Sequence, residues 1–271
     1  MDKNKTHLWR ILFIGILLSS ILAILDLRNL AADKGFPLTQ PKWLILIIII
    51  AATGIFAAFL LSLTWTKSFE KLKASYDAFL SYGKKTKWLF LILFLASLSI
   101  LPLLVLHPYL GSLLGNRLWI KVFIFLLLSF LGASFLRVVR IKISSINKEF
   151  SWAESLAFAA LAQLLVFQLL LSSLYITDYP FAIGWTRDSR YYYASLFFAK
   201  EIYGQSLPLP ILHPTLHFIF SLPFLFGKLP IWVYRGWTII LTFGLTWAVA
   251  KVLSKKIQHK TYAILFSFWI F

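Results

Sequence analysis

The sequence predicts an all-α protein, a polytopic transmembrane helical bundle of about 7–8 spans with an interfacial helix in a long outer loop. Of its 271 residues, 60% are hydrophobic and only 14% are charged, which is more apolar surface than one soluble core can bury. Several apolar runs reach the roughly 20 residues that a helix needs to cross about 30 Å of hydrocarbon. Tryptophans near the ends of these runs suit the boundary between lipid and water.

Six segments have the length and composition of spans. They are Trp9–Leu27, Trp43–Trp65, Trp88–Leu106, Leu118–Leu136, Trp152–Ile176 and Ile231–Leu253. The first follows three basic residues and could also be read as a secretory signal, but its length and the later spans favour a membrane helix. Glu154 and Gln163 lie in the fifth span, where we expect them to make helix contacts rather than to transfer protons.

The net charge of +17 carries information about orientation, because lysine and arginine near span ends remain in the cytoplasm. Basic residues cluster at the amino terminus and in the loops after the second and fourth predicted spans, which all fall on one side if the spans alternate. We therefore expect a plasma-membrane protein with a cytoplasmic amino terminus and with loop 177–213 on the outer face. Anionic lipid headgroups are the expected partner of these charges, and no basic helix or zinc pattern suggests nucleic acid.

Several classes of chemistry have no support in the sequence. There is no cysteine, so disulfides, thiolate metal sites and cysteine nucleophiles are excluded. No nucleotide-binding loop, HExxH or GxSxG pattern is present, which argues against an ATPase, a zincin or a serine hydrolase. Residues 1–150 are expected to form an amino-terminal four-span bundle, and 151–271 a second membrane domain with the long polar loop.

A helix is predicted from Ser189 to Tyr203 in this loop, since no glycine or proline interrupts the segment. Asp188 or Ser189 can cap its amino end, and Gly204 suits the left-handed position beyond its carboxyl end. Its faces are nearly all apolar or aromatic, which is typical of a helix lying in the membrane interface.

Asp188 is the strongest candidate for a catalytic residue. It lies between Arg187 and Arg190, so its carboxylate could accept a proton as a general base while the arginines hold a phosphate. The alternative is a plain helix cap with local ion pairs. His213 and His217 have a spacing that can hold a divalent cation, but no third ligand is evident, and contacts with headgroups or tyrosines are the alternative.

An ordered series of motifs around this loop resembles the lipid-linked-sugar glycosyltransferases of the C superfamily, which include protein mannosyltransferases and aminoarabinose transferases. The series is Asp188, Tyr192-Tyr193-Ala194, Gly204, Pro208, Pro210, His213-Pro214-Thr215-Leu216, Gly227 and Arg235. Ser189 and Thr215 stand where the family has a second acidic residue and a second proline. The resemblance covers roughly residues 152–271.

The resemblance implies an integral membrane hexosyltransferase that passes a sugar from a polyprenyl-phosphate donor to an unknown acceptor on the outer face. Asp188 would be the base, and Arg187, Arg190 and Arg235 would contact phosphate. Tyr192, Tyr193, His213 and His217 would shape the substrate pocket. No cofactor is implied with certainty, although a divalent cation is compatible.

Two further expectations concern the carboxyl-terminal part of the chain. Residues 214–226 are either a short span or an interfacial segment interrupted by prolines, and the family resemblance favours a span. An apolar run begins near Tyr262 and is cut at Phe271, so we expect the natural polypeptide to continue. The competing functional hypothesis is a non-enzymatic polytopic membrane protein, either a transporter or an assembly scaffold.

Overall fold

The computed structural model of the chain describes residues 3–82, 86–139, 151–178, 188–209, 214–257, 262–264 and 266–267. All regular structure within these ranges is helical, and no strand is formed there. The predicted all-α class is therefore confirmed.

The main helices follow one another along the chain. They are α1 (Lys3–Lys34), α2 (Pro41–Leu63), α3 (Lys67–Tyr82), α4 (Lys87–Leu106), α5 (Pro108–Leu114), α6 (Leu118–Val139), α7 (Trp152–Ser173), α8 (Ser189–Ser195), α9 (Ala199–Tyr203), α10 (Pro214–Ser221) and α11 (Ile231–Ser254). Six of them, α1, α2, α4, α6, α7 and α11, are long and apolar enough to cross a membrane. They match the six predicted spans, and the chain is a multi-pass helical membrane protein.

The outer surface of α2 shows the expected contact with lipid. Ile45, Ile55 and Phe56 are 57%, 71% and 59% exposed, although a soluble helix would bury such side chains. A helix that is apolar on its exposed face as well as on its packed face is typical of a membrane span.

The chain divides into two compact units, one built from residues up to Phe167 and the other from Gln168 to Lys256. In the first unit, α1 packs along α2 and α6, and α4 packs on α6. Small residues allow close approach: a Cβ atom at Gly54 on α2 would lie 2.2 Å from Oγ of Ser20 on α1. Such contacts are how membrane helices pack without a hydrophobic driving force between them.

A carboxylate of α1 caps the start of α6. Oδ2 of Asp26 accepts hydrogen bonds from the backbone N–H groups of Trp119 at 2.8 Å and Ile120 at 3.3 Å. These N–H groups belong to the first turn of α6 and have no partner within the helix. Asp26 therefore fixes the amino end of α6 from a neighbouring helix, where negative charge is also favoured by the helix dipole.

The polar residues of the fifth span make the predicted helix contacts. Glu154 accepts a hydrogen bond from Ser151 N at 2.7 Å, and Ser151 Oγ accepts one from Glu154 N at 3.2 Å, so the pair forms a capping box at the start of α7. Gln163 is buried and accepts a hydrogen bond from Ser129 Oγ of α6 at 3.0 Å. The expectation that both residues serve helix contacts is confirmed.

Helix α3 stands where the sequence analysis expected only a basic loop. Its apolar side chains recur at helical spacing, and Phe69 and Leu80 are buried in the first unit. Asp77 accepts hydrogen bonds from Arg137 at 3.2 Å and from Trp152 Nε1 at 3.1 Å, and Tyr76 donates one to Ser134 at 2.9 Å. An amphipathic helix is therefore fixed to the bundle through both polar and apolar contacts.

Two predicted segments differ in the structure. The helix expected over Ser189–Tyr203 is divided by a 3-10 turn, Leu196–Phe198, into α8 and α9. Residues 214–226, for which a span was favoured, form α10 and a second 3-10 segment, Leu222–Phe226. At about 1.5 and 2.0 Å per residue these two pieces cover roughly 22 Å, less than the hydrocarbon core of about 30 Å. The stretch is not among the six membrane-length helices, and the span favoured for it stays a prediction.

Candidate functional site

An ion pair between Asp188 and Arg235 forms the centre of the candidate site in the second unit. Arg235 Nη2 donates to Asp188 Oδ2 at 2.9 Å, and Arg235 Nε donates to Oδ1 at 3.1 Å. Both side chains are largely withdrawn from solvent, at 11% exposure for Arg235 and 13% for Asp188. Two parallel hydrogen bonds between charged groups give the pair a defined orientation as well as energy.

Arg235 also holds the segment that follows α7. Its Nη1 donates to the backbone oxygen of Thr177 and to Thr177 Oγ1, the latter at 3.1 Å. Arg235 lies in the first turns of α11 and Asp188 immediately before α8. One guanidinium therefore joins three chain segments, which fixes the position of the carboxylate more firmly than a single pair would.

Asp188 occupies the N-cap position of α8, but its side chain makes no capping hydrogen bond. The carboxylate instead meets the arginine 47 residues further along the chain. The local reading of Asp188 as a cap therefore does not describe its observed hydrogen bonds.

An aromatic core lies beneath α8. Ala194, Phe220, Phe224 and Tyr234 are buried together, and Tyr191 packs edge-to-face against the rings of Phe224 and Tyr234 with centroids 5.2 and 5.3 Å apart. Residues 191, 194, 198 and 202 recur at helical spacing, so they place one face of the α8 and α9 segment against this core. The core determines which side of α8 is buried, and with it the position of the preceding Asp188.

Hydroxyl groups tie the same segment to its surroundings. Tyr191 donates a hydrogen bond to the backbone oxygen of Leu229 at 2.5 Å, and burial, with a smaller effect of Tyr203, raises the pKa of the Tyr191 phenol. The Ser195 and Tyr203 hydroxyls lie 2.7 Å apart. Gly204 then ends α9 at φ 70°, in the left-handed conformation that the sequence predicted.

An apolar groove of about 700 Å³ lies within the second unit, which also holds the ion pair. It is lined by side chains of the second 3-10 segment and of α11: Leu222, Leu225, Phe226, Trp232, Trp237 and Ile240. Ile176 and Gly236, the sequence neighbours of Thr177 and Arg235, also line it. A groove of this size and composition suits an apolar chain.

The other predicted substrate-binding residues that the structure describes lie on α8 and α10, in the same unit as the pair. Arg190 is exposed and its guanidinium lies 5.7 Å from the ring centroid of Phe220. Tyr192 and Tyr193 are 48% and 43% exposed. Tyr193 lies with its ring centroid 5.6 Å from that of His217, which is itself buried. The contact of His217 with a tyrosine ring was one of the alternatives for this histidine.

Arg187 and His213 lie outside the described residues, so their predicted roles stay predictions. In the ranges that the structure does describe, no three metal-ligating side chains come together. The divalent-cation spacing of His213 and His217 is accordingly untested, because one of the two histidines is not described.

Comparisons with known proteins identified no relative of this chain. The chain matches no family model, no curated protein and no solved structure. The resemblance to the C superfamily of glycosyltransferases therefore rests on the sequence motifs alone.

Sequence reasoning identified Asp188 and Arg235 separately but missed their pairing, as well as Thr177, Tyr191 and Tyr234. The helical spacing of Tyr191, Ala194 and later apolar residues was a signal for the buried face of α8. No sequence pattern indicated the hydrogen bonds between Arg235 and Thr177, because they form between residues far apart in the chain and one of them uses a backbone oxygen.

Proposed function

We propose that this chain is a membrane glycosyltransferase that takes a sugar from a polyprenyl-phosphate donor. The observation that carries the proposal is the two-hydrogen-bond pair between Asp188 and Arg235, in the same unit as an apolar groove that the residue after Arg235 lines. Both residues belong to the ordered motif series in the sequence. In this proposal the carboxylate supplies the general base, the guanidinium contacts the phosphate and the apolar groove receives the lipid chain.

In the proposed reaction, an acceptor hydroxyl attacks the anomeric carbon of the sugar and loses its proton to Asp188. The bond between that carbon and the phosphate oxygen breaks, and the polyprenyl phosphate leaves with the bonding electrons. A single displacement of this kind inverts the anomeric configuration. A carboxylate has about four lone-pair sites and the guanidinium engages two, so the pairing with Arg235 is compatible with a general-base role.

Positive charge near the pair suits the leaving group. Arg235 and Arg190 lie on neighbouring segments, and a guanidinium recognises phosphate oxygens through paired hydrogen bonds. The groove beside Arg235 would receive the first isoprene units of the carrier. The exposed rings of Tyr192 and Tyr193 would face the sugar or the acceptor.

The proposed orientation follows from six spans and a non-spanning 214–226 stretch. With a cytoplasmic amino terminus, α7 delivers Asp188 to the outer face and α11 returns the chain to the cytoplasm. The basic residues at the end of α11 (Lys251, Lys255 and Lys256) then lie on the same side as those of α3. The positive-inside pattern holds for all these segments, and the site lies on the outer face of the plasma membrane.

The rival hypothesis is a scaffold or transporter in which the same pair only fastens the loop to α11. The two hypotheses differ in what a charge-removing substitution does to donor turnover. Purified protein should be reconstituted in proteoliposomes with a panel of polyprenyl-phosphate sugars and a lipid and peptidoglycan extract as acceptor pool. We expect consumption of one donor and release of polyprenyl phosphate.

Asp188→Asn is expected to lower the turnover of that donor at least 100-fold, within the range of general acid–base catalysis. Asp178→Asn is the matched control, since Asp178 is an exposed acid of the same loop, and it should leave turnover unchanged. An Asp188→Asn protein as active as wild type would remove the proposed base. If no donor in the panel is consumed and farnesyl phosphate does not bind, the scaffold hypothesis is favoured.

A further inference from the structure

A second cavity, of about 250 Å³, lies in the first unit between α1, α2, α3 and α6. Its walls are formed by apolar side chains that include Trp9, Phe13, Ala57, Leu127 and Phe130. It is distinct from the groove beside Arg235, because none of its lining residues belongs to the second unit.

This cavity is open at one side rather than enclosed. Phe56 of α2 and Leu72 of α3 line it and are 59% and 43% exposed, so it reaches the surface between these two helices. The exposed face of α2 is apolar, as expected for contact with lipid. The opening therefore lies where hydrocarbon chains of the bilayer can enter.

Water is a poor occupant of such a space. Apolar cavities of roughly 150 Å³ remain dry and bind small hydrocarbons, because water finds too few hydrogen-bond partners in them. The hydroxyls in the lining already have partners: Thr53 donates to Ile49 O at 2.8 Å, and Tyr76 donates to Ser134 at 2.9 Å. The lining thus offers hydrocarbon contacts to a guest, with one charged exception.

That exception is Lys73 of α3, which lines the cavity. Its ammonium lies 3.8 Å from the Glu70 carboxylate, a long pairing whose acidic partner is half exposed. Lys67 and Lys71 lie exposed on the same helix. These three lysines outnumber Glu70, so this end of α3 carries a net positive charge beside the apolar interior of the cavity.

We propose that this cavity binds one acyl chain of an anionic phospholipid whose phosphate is held by Lys73. The apolar interior selects for a hydrocarbon chain, and the lysine selects for a negatively charged headgroup. Helix α3 lies across the cavity and is fixed to the bundle by Asp77 and Tyr76, so the bound lipid stabilises the position of this amphipathic helix. The inference is independent of the proposed transferase activity.

Photo-crosslinking tests this assignment in intact wild-type protein. The chain is reconstituted in phosphatidylcholine nanodiscs containing a small fraction of either phosphatidylglycerol or phosphatidylcholine with a diazirine in the acyl chain. We expect the phosphatidylglycerol probe to label peptides of α1, α2 and α6 that line the cavity at least fivefold more than the phosphatidylcholine probe does. Equal labelling by the two probes, or no labelling of these peptides, would overturn the proposal.

Lys73→Gln and Lys71→Gln form a matched pair on one helix, with the same loss of charge. Lys73→Gln should lower cavity labelling by the anionic probe about fivefold, the factor expected for one lysine at an anionic lipid surface. Lys71→Gln should lower it much less, since Lys71 does not line the cavity. Ala57→Phe, which fills the space, should lower labelling by both probes. Equal effects of the two lysine variants would show general attraction to the membrane surface and refute a defined headgroup contact.

Discussion

Removing the charge of Asp188 should weaken the attachment of α8 to α11 measurably. Breaking a buried ion pair by removing one partner costs about 3–5 kcal/mol, because the remaining charge stays desolvated. Here the two side chains retain 11% and 13% exposure, so we take the lower end, about 3 kcal/mol, for Asp188→Asn. That free energy corresponds to roughly 150-fold faster opening of the segment.

Hydrogen–deuterium exchange of the purified protein in nanodiscs measures this opening. Amides of α8 and of the first turns of α11 should exchange faster in Asp188→Asn by the factor above. Each substitution lowers the free energy of opening of the α8 segment. In the double variant Asp188→Asn with Arg235→Gln, this loss should be at least about 2 kcal/mol smaller than the sum of the losses in the two single variants, because no buried charge is left alone.

The pair between Asp33 and Arg117 provides the control, because its carboxylate is 62% exposed. Asp33→Asn should change the free energy of opening of the peptides that contain residues 33 and 117 by less than about 1 kcal/mol, as for other exposed ion pairs. If Asp188→Asn accelerates exchange no more than Asp33→Asn does, the reasoning from burial and two-fold hydrogen bonding is refuted.

Three other substitutions or conditions test separate contacts. Gly54→Val should destabilise the first unit by about 1–3 kcal/mol in detergent unfolding, since the added Cβ atom would lie 2.2 Å from Oγ of Ser20, and Ser20→Ala should restore part of the loss. Asp26→Ala should lower the Tm through a loss of about 1–2 kcal/mol, because two N–H groups at the start of α6 lose their acceptor; an unchanged Tm would contradict the cap. The raised pKa of Tyr191 means that the folded state disfavours its phenolate, so the contribution of this residue to stability should be fully present below about pH 10 and be lost above it. Tyr191→Phe should make that alkaline fall shallower in a thermal-unfolding series, and an unaltered slope would exclude this contribution.

The membrane helices could be predicted from the sequence because an apolar run of about 20 residues can cross the bilayer, and a helix satisfies all of its backbone hydrogen bonds there. Predicted starts such as Trp152 and Ile231 agree with the observed α7 and α11. Helix α3 was missed because its window mixes five charged residues with apolar ones, and only the spacing of Phe69, Tyr76 and Leu80 indicates its amphipathic face. The same spacing argument also identifies the buried face of α8.

The candidate site was partly predictable. Its residue types follow from the motif series, but the meeting of Asp188 with Arg235 depends on how α8 packs over an aromatic core whose rings come from a later part of the chain, Phe220, Phe224 and Tyr234. Residues 214–226 were favoured as a span by analogy, whereas their length and the 3-10 turn at Pro223 limit them to a shorter path.

The guanidinium of Arg235 uses separate nitrogens for its two partners. Nη1 contacts Thr177, while Nε and Nη2 contact the carboxylate of Asp188. Withdrawal of the carboxylate would therefore leave the cation anchored and its two donors already aimed in the same direction. An incoming oxyanion would meet a receptor that needs little reorganisation, so exchange of one anion for another at this position is favoured by preorganisation.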